Sequence, residues 1–312
     1  MNDIDLRGII PAIVTPMTPE GELDLPALKH YVQWLAEQGP IALAVNVDTG
    51  EGPHLTADEK RQTLETVAEA VEGKCKVIGG VAGPSTAQGV ANARAAQAAG
   101  ADALLVFPIS AFLGQPLNPE VPYRYHAALA EAVDLPLILF QLQPALGGVL
   151  FTTEILHRLI TIPAVTAIKE ASFDAVRFLQ VKAALDSASR KITFLTGNDN
   201  FICESFLLGA EGALLGFSTL GTREQVSMLA AVRRGDIAEA RELGARLQPL
   251  ADVIFAPPIT DYRARTKEAL KLLGILENTT VRPPLLPIPP TEHETLRQAL
   301  QKAELLLSPV SR

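Results

Sequence analysis

Residues 166–172 have the sequence TAIKEAS and place Lys169 at the end of a short apolar run. The run starts at Val165 and leaves little polar surface, which predicts a buried strand. Lysine is seldom fully buried, so a solvated lysine at a strand end is the ordinary interpretation. A lysine that projects into an apolar cavity has a lowered pKa, and its free amine can attack carbonyl groups. The fold around this strand decides between the two interpretations.

The composition is that of an ordinary globular protein. The chain has 312 residues, of which 48% are hydrophobic and 20% charged, and its formal net charge is −8. No basic cluster stands out, so neither nucleic acid nor a membrane is a predicted partner. The N-terminus lacks the basic start and apolar run of a signal peptide, and no apolar stretch reaches membrane-spanning length. We therefore expect a cytoplasmic protein.

Neither the cysteines nor the histidines point to redox or metal chemistry. Cys75 and Cys203 lie in surroundings typical of small buried hydrophobic side chains. The five histidines are scattered and lack the spacing of metal ligands. The sequence therefore predicts no metal and no cofactor, and it disfavours a zinc enzyme, a metal-dependent class II aldolase and a Ser-His-Asp hydrolase.

Short apolar runs alternate with longer amphipathic runs. Near-continuous apolar strands are typical of a parallel sheet covered on both faces, and eight strand–helix units close into a (β/α)8 TIM barrel. An open doubly wound sheet is the alternative, but no Gly-x-Gly-x-x-Gly motif follows the first strand. The predicted strands are residues 8–15, 41–46, 76–80, 103–107, 137–140, 165–168, 192–195 and 213–215.

Helices are predicted between the strands and beyond them. Asp24 is a candidate cap for the first helix, and Thr56 with Glu59 forms a capping box for the second. After about residue 225 the strands stop. We therefore expect a barrel over residues 1–225 and a C-terminal helical region over residues 226–312 that packs on it. Helices in the second region are predicted at residues 228–233, 237–250, 266–273 and 292–307.

In such a barrel the chemistry lies at the carboxyl ends of the strands. Lys169 would then point into a dry interior, where desolvation makes it reactive toward carbonyls. After the second strand, Thr49 and Gly50 offer a hydroxyl and approachable backbone amides that can hold a carboxylate. A plain loop before the next helix is the alternative for this turn. A carboxylate cradle opposite an amine suits a 2-oxo acid, held by its acid end and attacked at its ketone.

Five short motifs follow one another in a set order: PAIVTP at 11–16, TGE at 49–51, IKEA at 168–171, GND at 197–199 and VRPPL at 281–285. In this order the sequence resembles the family of Schiff-base aldolases that includes dihydrodipicolinate synthase and N-acetylneuraminate lyase. The resemblance covers residues 8–287. It implies that Lys169 forms a Schiff base with pyruvate or a related 2-oxo acid and that Thr49 and Gly50 bind its carboxylate. It also implies a homo-oligomer, a dimer or tetramer.

The sequence departs from that family at the group that moves protons. Phe140 occupies the position of the family's tyrosine at the end of the fifth strand, and phenylalanine cannot transfer a proton. Asp48 replaces the first hydroxyl residue of the family's second-strand motif. Residues 108–112 lack the family's paired tyrosines, and residues 143–147 lack the arginine that binds a second carboxylate in the synthases. An authentic dihydrodipicolinate synthase is therefore not expected.

The leading hypothesis is a Schiff-base lyase, either an aldolase or a dehydratase. Asp48 is the candidate base, because a carboxylate near bound substrate can have its pKa raised into a useful range. A turn-capping aspartate is the alternative for this residue. Thr49, Ser110 or a held water could serve as the base instead. The second hypothesis is a 2-oxo-acid-binding homologue that has lost turnover.

The remaining candidates lie at the ends of the seventh and eighth strands. Asn198 and Asp199 are candidates for contacts to substrate hydroxyls, although capping of the next helix also accounts for Asp199. Gly216 is a further candidate substrate-binding residue, because it ends the eighth strand. The loops at the mouth are apolar, which suggests a second substrate of low charge.

Overall fold

The computed structural model describes residues 4–114 and 116–306, and its strands form one parallel eight-stranded sheet. Each predicted strand is present, with ends shifted by a few residues. The strands are β1 (Ile9–Pro11), β2 (Ala42–Val45), β3 (Lys76–Val81), β4 (Ala103–Val106), β5 (Leu137–Leu142), β6 (Val165–Ala171), β7 (Thr193–Thr196) and β8 (Gly212–Leu215).

The sheet closes on itself. Each strand pairs with its neighbours in the chain, and β1 pairs with β8 with Ile9 opposite Ala213. Between β1 and β2, the amide of Ile13 donates to Ala44 O at 3.0 Å and that of Ile41 donates to Ile9 O at 3.0 Å. The predicted (β/α)8 barrel is confirmed, and the open doubly wound sheet is wrong.

Three strands differ from the prediction by two residues or more at one end: β1, β5 and β6, which runs to Ala171 instead of ending at residue 168. The first was expected over residues 8–15, but β1 ends at Pro11, and the chain leaves the sheet after Ile13. The fifth was expected to end at Phe140, but β5 continues to Leu142 because it stays paired with β6. In that pairing Phe140 lies opposite Lys169.

Helices follow the strands around the barrel. The cap of α1 is confirmed, since Asp24 Oδ1 accepts from the amide of Ala27 at 3.0 Å. The capping box of Thr56 and Glu59 on α2 is also confirmed. The helices of the barrel are α1 (Leu25–Ala36), α2 (Ala57–Ala70), α3 (Thr86–Ala98), α4 (Glu120–Ala132), α5 (Thr153–Ile160), α6 (Ala175–Asp186), α7 (Ile202–Leu207) and α8 (Thr222–Arg233).

Three further helices follow: α9 (Ile237–Ile254), α10 (Tyr262–Leu272) and α11 (Pro290–Lys302). Helix α10 begins four residues before the predicted start at residue 266. Helix α11 ends at Lys302, so the predicted helix over 292–307 is too long at its C-terminal end; residue 307 itself lies outside the described residues. The predicted division at residue 225 falls within α8, which follows β8 as a barrel helix; that division stays a prediction. Within residues 4–114 and 116–306, no helix is long and apolar enough to cross a membrane.

Alternation along β6 sets the direction of its lysine. Ala167 and Ala171 belong to the apolar cluster inside the barrel, whereas Ile168 belongs to the layer between strands and helices. Successive side chains of a strand point to opposite faces, so Lys169 points inward with the two alanines. Phe140 belongs to the same interior cluster.

A buried ion pair fixes α10 to the turn after β2. Lys267 Nζ lies 2.5 Å from Glu51 Oε1, and both side chains are fully buried. Lys267 also donates to Thr280 O at 2.6 Å, and Glu51 Oε2 accepts from the amide of Arg282 at 2.7 Å. The C-terminal helices are therefore attached directly to the carboxyl ends of the barrel strands.

Candidate functional site

A cavity opens at the carboxyl ends of the strands, where the barrel prediction placed the chemistry. Residues from six strand ends and from the C-terminal helices surround it. Its lining consists of Val47, Asp48, Thr49, Phe107, Phe140, Leu142, Leu146, Lys169, Ala171, Phe173, Gly197, Asp199, Gly216, Phe255 and Tyr262.

Lys169 is the amine of this cavity, and its side chain is desolvated. It is only 9% exposed. Burial lowers its pKa to about 8, while the negative charges of Asp199 and Asp48 act against that change. A larger share of the amine is therefore unprotonated at neutral pH than for an ordinary lysine, and the unprotonated amine is the form that attacks carbonyls.

Phe140 forms the wall beside the amine. The Nζ of Lys169 lies 4.3 Å from the centroid of its ring. The ring also meets Phe107 edge to face, with centroids 4.9 Å apart. This wall is apolar and offers the amine no group that accepts or donates a proton.

The turn after β2 is held in one shape. Thr15 Oγ1 donates to Gly50 O at 2.7 Å. A β-carbon at Gly50 would lie 2.8 Å from Ile13 O, so only glycine fits there. Thr49 lines the cavity, and a β-carbon at Gly216 would lie 3.1 Å from its hydroxyl oxygen. The structure thus places Thr49 and Gly216 together in the cavity wall.

Asp48 faces the C-terminal helices with both oxygens of its carboxylate. Arg263 Nη2 lies 2.5 Å from Oδ1, and the Tyr262 hydroxyl donates to Oδ2 at 2.8 Å. Arg263 Nε also donates to the backbone oxygen of Asp48 at 2.8 Å. The carboxylate is therefore bound to α10 side chains across the cavity mouth.

Tyr262 was not among the residues predicted from the sequence. It is 4% exposed, and its hydroxyl oxygen lies 3.5 Å from that of Thr49. Burial raises its pKa well above the ordinary value, and the charge of Asp48 raises it further. The phenol therefore stays protonated. Hydrophobic periodicity gives no signal that Tyr262 lies beside Asp48, because the two residues are 214 positions apart in the chain.

Asp199 is a second carboxyl group in the cavity wall. Its Oδ1 accepts from the amide of Phe217 at 2.9 Å. Burial raises its pKa to about 7, while the Phe217 hydrogen bond and the charge of Lys169 act against that change. Helix α7 is capped at Phe201, and Asp199 instead joins the ends of β7 and β8.

The cavity lining does not include Gly50, which follows Thr49 in the turn after β2, and two further predicted substrate-binding residues lie away from it. Asn198 is buried, and its Nδ2 donates to Glu170 Oε2 at 2.8 Å while its Oδ1 accepts from the amide of Phe173 at 2.7 Å. It therefore joins the ends of β6 and β7. Ser110 is exposed in the short 3-10 turn Ser110–Phe112. The structure does not bring either residue to Lys169.

The chain forms a closed TIM barrel with a desolvated lysine and two carboxyl groups at its strand ends. It therefore belongs to the class of barrel proteins that hold an amine in the cavity. Within that class, the chain belongs to the dihydrodipicolinate synthetase family, whose model matches residues 5–303. The family resemblance drawn from the sequence motifs is confirmed.

Curated relatives match nearly end to end. The 4-hydroxy-tetrahydrodipicolinate synthase of Kineococcus radiotolerans is 33% identical over 303 residues, which cover 97% of this chain and 94% of that protein. The protein of the same name from Pseudomonas aeruginosa is 31% identical over 301 residues, covering 96% of this chain and 99% of that one. The identity is enough to show the family.

Solved structures of the family superpose over the whole barrel. The chloride-inhibited dihydrodipicolinate synthase of Acinetobacter baumannii, complexed with pyruvate, has a TM-score of 0.84 at 30% identity over 96% of this chain and 99% of that one. A prophage protein of the family from E. coli K12, also in complex with pyruvate, has a TM-score of 0.88 at 26% identity, with coverages of 96% and 98%.

Proposed function

We propose that the protein is a class I lyase, an aldolase or a dehydratase, that forms a Schiff base with pyruvate or a related 2-oxo acid. One observation carries the proposal: Lys169 is desolvated inside the barrel mouth, with a pKa lowered to about 8. An amine in that state is a nucleophile toward ketones near neutral pH. The pyruvate complexes of the two family structures support the choice of substrate.

The first half-reaction follows from the groups around the amine. The nitrogen lone pair of Lys169 adds to the ketone carbon, and loss of water gives an iminium. The Thr49 hydroxyl and the turn at Gly50 are the proposed binding site for the substrate carboxylate. For an aldolase, the iminium accepts the electron pair of the C–C bond that breaks. For a dehydratase, it accepts the C–H pair of the neighbouring carbon, and the resulting enamine expels the hydroxyl group as water. Binding at two points holds the ketone in position for attack.

The proton-transfer group of this reaction differs from that of the synthases. We propose that Phe140 occupies the position of the family's tyrosine and that Asp48 is the base. Asp48 lies in the cavity wall and accepts a hydrogen bond from the Tyr262 hydroxyl at 2.8 Å. A lyase with this arrangement is not an authentic dihydrodipicolinate synthase.

The mouth suits an apolar second reactant or leaving group. Apolar side chains make up much of its wall, beside the polar groups of Asp48, Thr49, Asp199 and Tyr262. Among the described residues that line it, Lys169 is the only basic one, and the nearby Arg263 is paired with Asp48. A second carboxylate would lose its hydration without gaining a charged partner, which is costly. The apolar lining residues are Val47, Phe107, Phe140, Leu142, Leu146, Ala171, Phe173 and Phe255.

The alternative is a catalytically impaired homologue that binds 2-oxo acids without turning them over. The apolar wall at Phe140 favours it, because that ring cannot move a proton. In that case Lys169 still forms the Schiff base, but the carbon next to the iminium does not exchange its hydrogens.

Trapping the Schiff base tests the proposal. Pyruvate and borohydride are added together, and peptide mass mapping locates the reduced adduct. We expect the adduct on Lys169 and its loss in Lys169→Ala. The matched control is Lys191→Ala, which removes an exposed lysine paired with Glu211 and leaves the adduct in place. Absence of an adduct on Lys169 in the unaltered protein at every pH rules out both the aldolase and the dehydratase.

Hydrogen exchange at the pyruvate methyl group separates the lyase from the impaired homologue. In heavy water, a lyase that forms an enamine replaces these hydrogens with deuterium, and the methyl proton signal decays. Exchange no faster than with Lys169→Ala identifies the impaired homologue.

Assembly and location are also proposals. We propose that the protein acts in the cytoplasm as a homo-oligomer, a dimer or tetramer, as the family resemblance implies. Val176 and Leu179 on α6 are 67% and 46% exposed, and exposed apolar side chains mark candidate contact surfaces. Light scattering of the purified protein tests this, and a monomeric mass at micromolar concentration contradicts it.

A further inference from the structure

Tyr262 places a hydroxyl in the same cavity as the amine. Its side chain lines the wall that contains Lys169 and Thr49. The hydroxyl donates to Asp48 Oδ2 at 2.8 Å, and its oxygen lies 3.5 Å from Thr49 Oγ1. The phenol therefore lies between the proposed base and the proposed carboxylate-binding turn.

The ring of Tyr262 is held from two sides. It stacks on Phe255 with ring centroids 5.0 Å apart and an interplanar angle of 19°. The guanidinium carbon of Arg263 lies 4.8 Å from the Tyr262 ring centroid, and the same guanidinium is paired with Asp48 Oδ1. Because Arg263 occupies Oδ1, the other oxygen of Asp48 is left to face the phenol. A fixed hydroxyl that already points at a carboxylate fits proton transfer.

We propose that Tyr262 is the catalytic acid–base residue of this cavity and that it exchanges protons between substrate carbon and Asp48. The proposal rests on the proposed Schiff-base function and deepens it. It assigns to a C-terminal helix the hydroxyl that Phe140 cannot supply. It also gives Asp48 a definite role, as the acceptor at the far end of a two-member relay.

The relay carries one proton from the substrate carbon to the Asp48 carboxylate. A proton leaves the carbon next to the iminium, and the C–H electron pair forms a new C=C bond. The electron pair of the C=N bond moves onto the nitrogen of Lys169, which gives the enamine. The Tyr262 oxygen accepts the departing proton while its own proton passes to Asp48 Oδ2. Tyr262 and Asp48 are both neutral at the end of the step.

The relay suits a phenol that resists ionisation. Burial and the charge of Asp48 raise the pKa of Tyr262 well above its ordinary value, so a free tyrosinate in this cavity is costly. A concerted transfer avoids the tyrosinate, because the phenol loses one proton as it gains another. In the reverse direction Asp48 returns its proton through the same hydroxyl to the enamine carbon.

Tyr262→Phe tests the proposal, because it removes the hydroxyl and keeps the ring that stacks on Phe255. We expect pyruvate and borohydride to give the Lys169 adduct to nearly the extent seen in the unaltered protein. Methyl exchange in heavy water is expected to fall by roughly 100-fold or more, the usual contribution of an acid–base group. The matched control is Tyr125→Phe, which removes a buried hydroxyl whose oxygen lies 3.5 Å from Gly83 O, outside the cavity lining.

The outcomes separate the two proposals. Adduct with unchanged exchange in Tyr262→Phe overturns the role of Tyr262 and leaves the Schiff-base function standing. No adduct in the unaltered protein overturns the proposed function, and the relay falls with it. Adduct without exchange in the unaltered protein also overturns the relay.

A second measurement covers the case in which Tyr262→Phe does not fold. A fluorinated tyrosine at position 262 keeps the shape of the side chain and makes the phenol more acidic. If Tyr262 transfers the proton, the pH profile of methyl exchange moves, while that of adduct formation stays. An exchange profile that does not move overturns the proposal, because a residue that only packs has no such effect.

Discussion

Gly197 after β7 and Lys169 on β6 occupy one narrow space, since a β-carbon at position 197 would lie 2.6 Å from Lys169 Cε. Real β-carbons do not approach other atoms this closely, so with any side chain at position 197 either that residue or the Lys169 side chain would have to move. The lysine side chain therefore keeps its path to the cavity only because residue 197 has no side chain.

We expect Gly197→Ala to slow adduct formation on Lys169 by about tenfold or more, because overpacking costs about 1–3 kcal/mol and displaces the amine. The rate is measured by borohydride trapping at saturating pyruvate. Gly274→Ala is the control for general destabilisation, since Gly274 has a positive φ and open space around it. Equal rates in Gly197→Ala and the unaltered protein contradict the close contact between residue 197 and the Lys169 side chain.

The rate of adduct formation is expected to depend on pH through Lys169. Its pKa is lowered to about 8, so the reactive free amine is the minor form below that pH and the main form above it. The initial trapping rate should rise as the pH increases toward 8 and level off above it. A rate that keeps rising to pH 10 or higher shows that the amine is not desolvated in the free protein.

The buried pair of Lys267 and Glu51 should matter for stability. Lys267→Met leaves the Glu51 carboxylate buried without its partner, and we expect a loss of about 3–5 kcal/mol in the free energy of unfolding. The double variant Lys267→Met, Glu51→Gln should recover part of this loss, because no uncompensated charge remains. Urea unfolding at pH 7 measures both. A single variant as stable as the unaltered protein contradicts the prediction.

Asp199 should make stability depend on pH between about 4 and 7. Its folded pKa is raised to about 7 from an ordinary 3.8, so in this range the folded state keeps a proton that the unfolded state has lost. Its contribution to the free energy of unfolding then falls as pH rises from 4 to 7, by an amount on the order of a few kcal/mol. We expect Asp199→Asn to remove this decline. Equal pH dependence in both proteins, measured by urea unfolding at pH 4.5 and 7, speaks against it.

The apolar mouth should select against charged aldehydes. In a panel tested with pyruvate, we expect aromatic or aliphatic aldehydes to have higher kcat/KM than an aldehyde that carries a carboxylate. Leu146→Arg places a cation at the wall and should move this preference toward the carboxylated aldehyde by about tenfold, since charged hydrogen bonds contribute about 1.5–3 kcal/mol. Leu113→Arg, on an exposed side chain outside the cavity lining, is the control.

The barrel and its amine could be predicted because both depend on local pattern. Apolar strands separated by amphipathic runs fix the eight units, and alternation along β6 then turns Lys169 inward with Ala167 and Ala171. Strand β1 is shorter than its hydrophobic run predicts: the amides of Ala12 and Ile13 still donate to Leu215 O and Ala44 O, but the chain then leaves the sheet, and hydrophobicity does not mark that point.

The rest of the cavity depends on contacts between distant parts of the chain. Tyr262 reaches the mouth because α10 lies against the turn after β2, and Phe255, at the end of α9, stacks on it. No local pattern encodes that placement. Ser110 and Asn198 were chosen because they follow strands, but the turns there lead their side chains elsewhere. Whether a residue after a strand faces the cavity is decided by its backbone turn.

The hydrogen bond between Tyr262 and Asp48 means that the proposed nucleophile and the proposed acid–base group come from different parts of the chain. Lys169 belongs to a strand whose pairing defines the barrel, whereas Tyr262 is the first residue of a helix outside it. Under the proposed mechanism, changes at the start of α10 therefore alter proton transfer at the iminium without disturbing its formation on Lys169. Within this fold, the start of α10 can change while strand β6 and its lysine stay the same.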